Sequence, residues 1–259
     1  MDLSSPHPFP HPSPRISVVV PMLNEAENAP ALIEEILNAA QKCPIAEIVV
    51  VDDGSQDATP RVVVELRPLA SSAVPHPVQI RVLRHSARAG QSAALRSGVR
   101  AAAMELVVTM DGDGQNNPAD IPALYAAYMT RQTAPMVLVA GQRRKRQDSL
   151  LKKFTSRTGN FIRRTMLKDG VRDTGCSLKL FRRADYLALP YFNHMHRFLP
   201  ALFAREYGDI ILVDVDHRPR ARGVSKYGFW DRLWAGIFDL IGVMWLQSRA
   251  AKKLTISEE

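Results

Sequence analysis

The sequence predicts an α/β chain built on a mostly parallel, doubly wound sheet, and two observations carry that expectation. From Ile16 to Ala140, β-branched and apolar runs of strand length alternate with segments whose apolar residues recur at helical spacing. Three of these runs also stop at acidic or amide side chains: before Asn24 and Glu25, at Asp52 and Asp53, and at Asp111 and Asp113. In a parallel sheet the C-terminal strand ends share one rim, and ligands bind in the crevice outside it. With 259 residues, 46% of them hydrophobic, the chain is long enough to bury the core of one large domain.

The first strand is expected over Ile16 to Pro21, a β-branched run closed by proline. Leu32, Ile33, Ile36 and Leu37 then mark the inner face of a helix from about Ala29 to Ala40. Glu47 to Val51 reads as the second strand. Thr59 and Pro60 suit a helix start, with Val62, Val63, Leu66 and Leu69 inward. Gln79 to Leu83 is the third strand, followed by a basic loop from Arg84 to Gly90. Gln91 to Ala103 is rich in alanine, the best helix former. Leu106 to Met110 is the fourth strand; Pro118 and Asp120 open a helix running to about Met129, and Met136 to Ala140 is the fifth strand. Further on, Asp173 to Phe181 reads as a strand, Met195 to Tyr207 as a helix and Ile210 to Val215 as another strand. No repeat of about 20 to 50 residues is present.

The formal net charge of +8 implies an anionic partner: a nucleic acid, an acidic membrane surface or a phosphate-bearing substrate. Much of it lies past Gly141, at Arg143 to Arg146, Lys152, Lys153, Arg157, Arg163 and Arg164, beside apolar Phe154, Phe161, Ile162 and Met166. Cys43 and Cys176 make no disulfide framework, which suits a reducing cytosol. Residues 1–14 read as a disordered leader without the n- and h-regions of a signal peptide. No uninterrupted apolar run is long enough for a spanning helix. The end of the chain, residues 229–259, reads as an amphipathic segment. Trp230, Trp234, Ile237, Phe238, Ile241 and Trp245 suit either a membrane interface or the domain's own core.

The stretch from Val107 to Gln115 is the focal point. A buried apolar strand running into Asp111-Gly112-Asp113-Gly114 is either a plain Asp-Gly turn or a pair of oxygen ligands for Mg²⁺ or Mn²⁺.

Three segments in this order and spacing, Val18 to Glu25, Val49 to Asp57 and Met110 to Gln115, resemble the family-2 glycosyltransferases. Two more, Gly141 to Arg143 with Arg157, and His217 to Tyr227, narrow the resemblance to the polyprenyl-phosphate branch. That branch includes dolichol-phosphate mannose synthase and bacterial undecaprenyl-phosphate relatives. The resemblance runs from about Ile16 to Ser248. It implies a glycosyltransferase-A (nucleotide-diphospho-sugar transferase) fold over residues 15–228. It also implies inverting transfer of one sugar from a nucleotide-diphosphate sugar to a polyprenyl phosphate, at the cytosolic face of a membrane.

By the same resemblance, Pro21, Leu23, Glu25, Val51 and Asp53 cradle the nucleoside, with Gly112 between the two acids. Asp111, Asp113 and Gln115 hold Mg²⁺ or Mn²⁺. Arg143, Arg157, Arg220 and Lys226 hold the acceptor phosphate, which suits the bidentate fork of arginine. Asp173 is either a base or orienting group, or the cap of a turn. His217 either meets phosphate or is structural. Leu23 stands where an aromatic residue is frequent in the mannose synthases, so uridine and guanosine both stay open.

No Gln-x-x-Arg-Trp is present, which disfavours the processive synthases. No Gly-x-Gly-x-x-Gly follows the first strand, which disfavours a dehydrogenase. Two rival functions remain. One is a family-2 transferase acting on a saccharide or protein acceptor. The other is a basic nucleic-acid-binding protein, against which the acidic strand ends weigh by repelling a polyanion.

Overall fold

The computed structural model describes residues 14–68, 77–143, 167, 170–171, 173–219 and 229–250, with side chains of the last helix described from residue 236 on. Among the described residues seven strands form one sheet: β1 (Ile16–Met22), β2 (Ile45–Asp52), β3 (Gln79–Arg84), β4 (Leu106–Thr109), β5 (Val137–Arg143), β6 (Lys179–Arg182) and β7 (Asp209–Val215). Their order is β3-β2-β1-β4-β6-β5-β7. All pairings are parallel except those of β6, which runs opposite to both β4 and β5.

The helices are α1 (Ala29–Ala40), α2 (Thr59–Glu65), α3 (Gln91–Ala101), α4 (Ile121–Met129), α5 (Arg183–Ala188), α6 (Leu199–Arg205) and α7 (Phe229–Ser248). They cover both faces of the sheet. Side chains alternate along a strand, so Val18 and Val20 pack with α1, α2 and α4, whereas Val19 packs on the other face with α3, α5 and α6. A Cβ at Gly98 would lie 2.3 Å from Val19 Cγ1, so glycine is what lets α3 press against β1.

Buried polar groups hold the N-terminal rim of the sheet. Glu47 is 0% exposed, yet its side-chain oxygens have a full set of partners. Its carboxylate accepts from Arg81 Nη1 and Ser17 Oγ at 2.5 Å and from the Ala103 N–H at 2.9 Å. Burial of a charge is tolerated because each oxygen is hydrogen-bonded.

Several elements depart from the pattern read in the sequence. The strand expected over Asp173 to Phe181 forms only at Lys179–Arg182, and it is antiparallel. Residues 173–178 instead bend over the rim, where Asp173 accepts from Arg143 at the end of β5 and Ser177 Oγ donates to Asn116 Oδ1 in the loop after β4. The helix expected from Met195 to Tyr207 is a 3-10 turn, Met195–Arg197, followed by α6. Pro200 suits the first turn of a new helix but lacks the N–H needed within a continuous one. The fifth strand extends to Arg143, which carries that side chain to the rim.

Among the described residues no helix is long and apolar enough to cross a membrane. One side of α7 packs on the core: Val243 is buried, and Leu240, Met244 and Leu246 lie against the α5–α6 cluster. His194 Nδ1 and Asp239 Oδ2 lie 2.9 Å apart and Gln247 Nε2 donates to Leu167 O, so polar contacts add to the packing. The other side leaves Ile237, Phe238, Ile241 and Trp245 exposed, at 69% for Phe238 and 58% for Trp245. The packing on the core is thus present along one side of the segment, and the other side is left exposed.

Candidate active site

The strand order sets β2, β1 and β4 side by side, so the loops after Met22, Asp52 and Thr109 meet at one rim. The first two loops are stitched together. The Asn24 N–H donates to Ser55 Oγ, the Glu25 N–H to Thr59 Oγ1 and the Gln56 N–H to Asn24 Oδ1, each at 2.8 Å. Asn24 takes a positive φ of 53° to make this turn. Glu25 is buried and accepts from Asn28 Nδ2 at 2.6 Å. Pro21 and Leu23 are half-buried beside it, and Val51 is wholly buried in β2.

The two acids that end β2 face different tasks. Asp52 Oδ1 accepts the Ser55 N–H at 3.1 Å, while Oδ2 lies 3.3 Å from Arg84 Nε. Asp53 is buried at 4% exposure. Its Oδ1 meets His85 Nδ1 and the Ala89 N–H, and its Oδ2 the Gly90 N–H, all at 2.8 Å. The nucleoside residues of the sequence reading are thus together at one rim, with Asp53 also fastening the loop that leads into α3.

After β4 the chain turns sharply. A Cβ at Gly112 would lie 2.8 Å from Met22 Cγ and 2.9 Å from Pro21 O, so only glycine lets this loop lie against the end of β1. Gly114 has φ +73°, and Asp113 Oδ1 accepts the Gln115 N–H at 3.1 Å. Asp111 is held from several sides. Its N–H donates to Asn116 Oδ1 at 3.1 Å, and Gln91 Nε2 donates to its Oδ1 at 2.6 Å. Asn116 Oδ1 also accepts Ser177 Oγ–H at 2.7 Å. Burial first, and the neighbouring charge of Asp113 second, push the Asp111 carboxyl up to about 6; Ser177, Lys179 and Arg143 pull it down.

The cationic side of the site comes from β5 and the loop before β6. Arg143 Nε and Nη2 grip Asp173 Oδ2 and Oδ1, the latter at 2.7 Å, in the bidentate geometry that arginine favours. A Cβ at Gly175 would come within 3.1 Å of Arg143 Nη2. Lys179 is buried, its ammonium donates to Cys176 O, and burial lowers its pKa. The loop after β7 is tied to the same place. An isolated bridge pairs Asn116 with His217, the Arg218 N–H donates to Gln115 O at 3.0 Å, and Arg218 Nη2 donates to Asn117 Oδ1 at 2.7 Å. Arg157, Arg220 and Lys226 lie outside the described residues.

Gln91, Asn116, Ser177 and Lys179 were missed by sequence reasoning. Gln91 comes from the start of α3, Asn116 from the loop after β4, and Ser177 and Lys179 from the segment entering β6. The only local signal was a run of amides, Gln115, Asn116 and Asn117, directly after the acids. Among the described residues no cluster of three or more His, Cys, Asp or Glu forms a complete cage for a cation. The donor set is nevertheless right for a hard ion that shares its sphere with substrate oxygens: two neighbouring carboxylates, one of them made unfavourable as a free anion by burial and by the other's charge.

A mixed, mostly parallel α/β sheet with paired acids at its C-terminal rim is the arrangement of the glycosyltransferase-A fold, that of the nucleotide-diphospho-sugar transferases. The chain belongs to glycosyl transferase family 2, whose model matches residues 17–188. It is 34% identical over 244 residues to a dodecaprenyl-phosphate galacturonate synthase of Rhizobium johnstonii, a match covering 92% of this chain and 68% of that protein. It is 36% identical over 220 residues to an undecaprenyl-phosphate 4-deoxy-4-formamido-L-arabinose transferase of Pectobacterium carotovorum, covering 83% and 63%. The chain thus spans about two thirds of the length of these relatives. Among solved structures it is similar to glucosyl-3-phosphoglycerate synthase of Mycobacterium tuberculosis with Mn²⁺, uridine diphosphate and phosphoglyceric acid. The TM-score is 0.64 at 22% identity, over 92% of this chain and 80% of that one. Mannosyl-3-phosphoglycerate synthase of Rubrobacter xylanophilus gives 0.61 at 17%, over 94% and 77%. At these identities the likeness establishes the fold.

Proposed function

We propose that the chain moves one sugar, with inversion, from a nucleotide-diphosphate sugar to a polyprenyl phosphate at the cytosolic face of a membrane. The observation that carries this reading is the meeting, at one rim, of the Asp111–Asp113 carboxylates with the Arg143–Asp173 pair. The first pair suits a cation-bound diphosphate and the second an anionic acceptor. The names of the two relatives, both polyprenyl-phosphate sugar transferases, support the acceptor class.

Pro21, Leu23, Glu25, Asp53 and Gly112 would line the nucleoside end of the donor, with Val51, wholly buried in β2, supporting them from behind. Asp111, Asp113 and Gln115 would hold Mg²⁺ or Mn²⁺, which when bound stabilises the negative charge gathering on the departing diphosphate. A phosphate oxygen of the acceptor attacks the anomeric carbon as the bond from that carbon to the diphosphate oxygen breaks. The electron pair leaves on the nucleoside diphosphate. The attacking phosphate is already an anion, so no protein base is needed. Asp173, committed to two N–H groups of Arg143, would act as an orienting group: it sets the plane of the guanidinium that meets the acceptor. Arg157, Arg220 and Lys226 would complete the phosphate grip.

The exposed apolar stripe of α7, with Phe238, Ile241 and Trp245, would seat the domain on the bilayer surface where the lipid phosphate lies. The test is acceptor choice: with each nucleotide sugar in turn, undecaprenyl phosphate should be glycosylated and a water-soluble phosphomonoester such as phosphoglycerate should not. Transfer to the soluble acceptor alone would overturn the reading.

A further inference from the structure

We propose that Gln91 is a positioning residue that fixes the carboxylate of Asp111. The inference rests on the reading of Asp111 and Asp113 as cation ligands. A carboxylate at a rim turn can rotate about its last side-chain bond, and a ligand geometry then has to be selected each time an ion binds. Gln91 Nε2 holds Asp111 Oδ1 at 2.6 Å, which fixes that rotation. Asn116 Oδ1 holds the Asp111 N–H at 3.1 Å, so both ends of the residue are set.

What makes Gln91 suited to this is how firmly its own position is defined. It is the first residue of α3, directly after Gly90, whose φ of +93° turns the loop into the helix. The N–H groups of Ala89 and Gly90 both donate to Asp53 at 2.8 Å. His85 bridges Asp53 to Ser97, with Nδ1 2.8 Å from Asp53 Oδ1 and Nε2 2.9 Å from Ser97 Oγ, and Ser97 lies on α3 itself. At the same end, Ser92 Oγ and His196 Nδ1 lie 2.7 Å apart. The start of α3 is therefore pinned to the end of β2 on one side and to the turn at Met195–Arg197 on the other. Gln91 transmits that rigidity to Asp111. Outer partners of this kind change metal affinity by about 10- to 100-fold when removed.

The experiment is Mn²⁺ binding followed by electron paramagnetic resonance, on the full chain with saturating UDP or GDP and no acceptor. Q91N keeps the amide but falls one methylene short of Asp111; Q91M keeps the length but cannot donate. Both should weaken Mn²⁺ binding about tenfold or more, with melting temperature and circular dichroism unchanged. An asparagine serves equally well in the first turn of a helix, so a merely structural glutamine predicts wild-type affinity for Q91N. Equal affinity in Q91N and wild type would overturn this inference alone. Absence of Mn²⁺ binding by the wild-type chain would overturn it together with the cation reading. Should Q91M fail to fold, Q91N decides.

Discussion

Arg143 and Asp173, thirty residues apart in the chain, face each other at the rim as a bidentate ion pair with side chains 13% and 9% exposed. A pair this buried gains little over two apolar residues, but removal of one partner leaves the other charge uncompensated. R143A and D173A should each lose about 3 kcal/mol of stability, and the double variant should lose less than their sum. Urea denaturation of the three variants measures that coupling; strict additivity would mean that the pair does not act as a unit.

The acid pair makes cation binding pH-dependent. Burial and Asp113 push the Asp111 carboxyl up to about 6, whereas in an unfolded chain it titrates near 3.9. Between these values the folded chain holds a proton that the unfolded chain has lost, so Asp111's contribution to stability falls as pH rises through the window. A cation must displace that proton. Mn²⁺ affinity should therefore be level above about pH 7 and fall below about pH 6, approaching tenfold per pH unit. Titrations across that range check it. In the cation-free chain, D111N should unfold at higher urea than wild type at neutral pH, and this difference should vanish near pH 4.

The fold depends on Glu47 at the opposite rim. E47A leaves Ser17 Oγ and the Ala103 N–H without their buried acceptor and Arg81 without its counter-ion. The expected loss is about 3 kcal/mol, at the low end for a buried pair because Arg81 is partly exposed. A urea midpoint within error of wild type would contradict it.

The two sides of α7 should separate cleanly on mutation. F238S with W245S alters only exposed side chains, so melting temperature should hold while co-sedimentation with anionic liposomes falls several-fold. V243D places an unpaired charge in the core and should unfold the chain. Liposome binding unaffected by the double serine variant would remove α7 from the membrane account.

Local chemistry made much of this legible. Ile16–Met22, Ile45–Asp52 and Leu106–Thr109 are buried runs that end in polar loops, and that pattern alone placed three acidic strand ends at one rim. The antiparallel entry of β6 was not legible, since a strand of four residues carries no mark of direction. Nor were the partners of the site acids. Gln91 meets Asp111 across twenty residues, Ser177 meets Asn116 across sixty-one and Arg143 meets Asp173 across thirty. Periodicity says which face a residue takes, not which residue it will find there. Asp53 illustrates the point: read as a nucleoside contact, it is also the acceptor that fastens the start of α3.

In the proposed reaction, sugar transfer to a lipid phosphate depends on the acid pair Asp111 and Asp113. The most direct measurement is radiolabel from a set of nucleotide sugars entering the organic phase with undecaprenyl phosphate and Mg²⁺ or Mn²⁺, for the wild-type chain and for D113A. Label should enter the lipid phase with one donor and be lost in D113A while that variant still folds. Lipid label that persists undiminished in folded D113A would contradict the role given to the acids, and absence of lipid label with every donor would contradict the reaction itself.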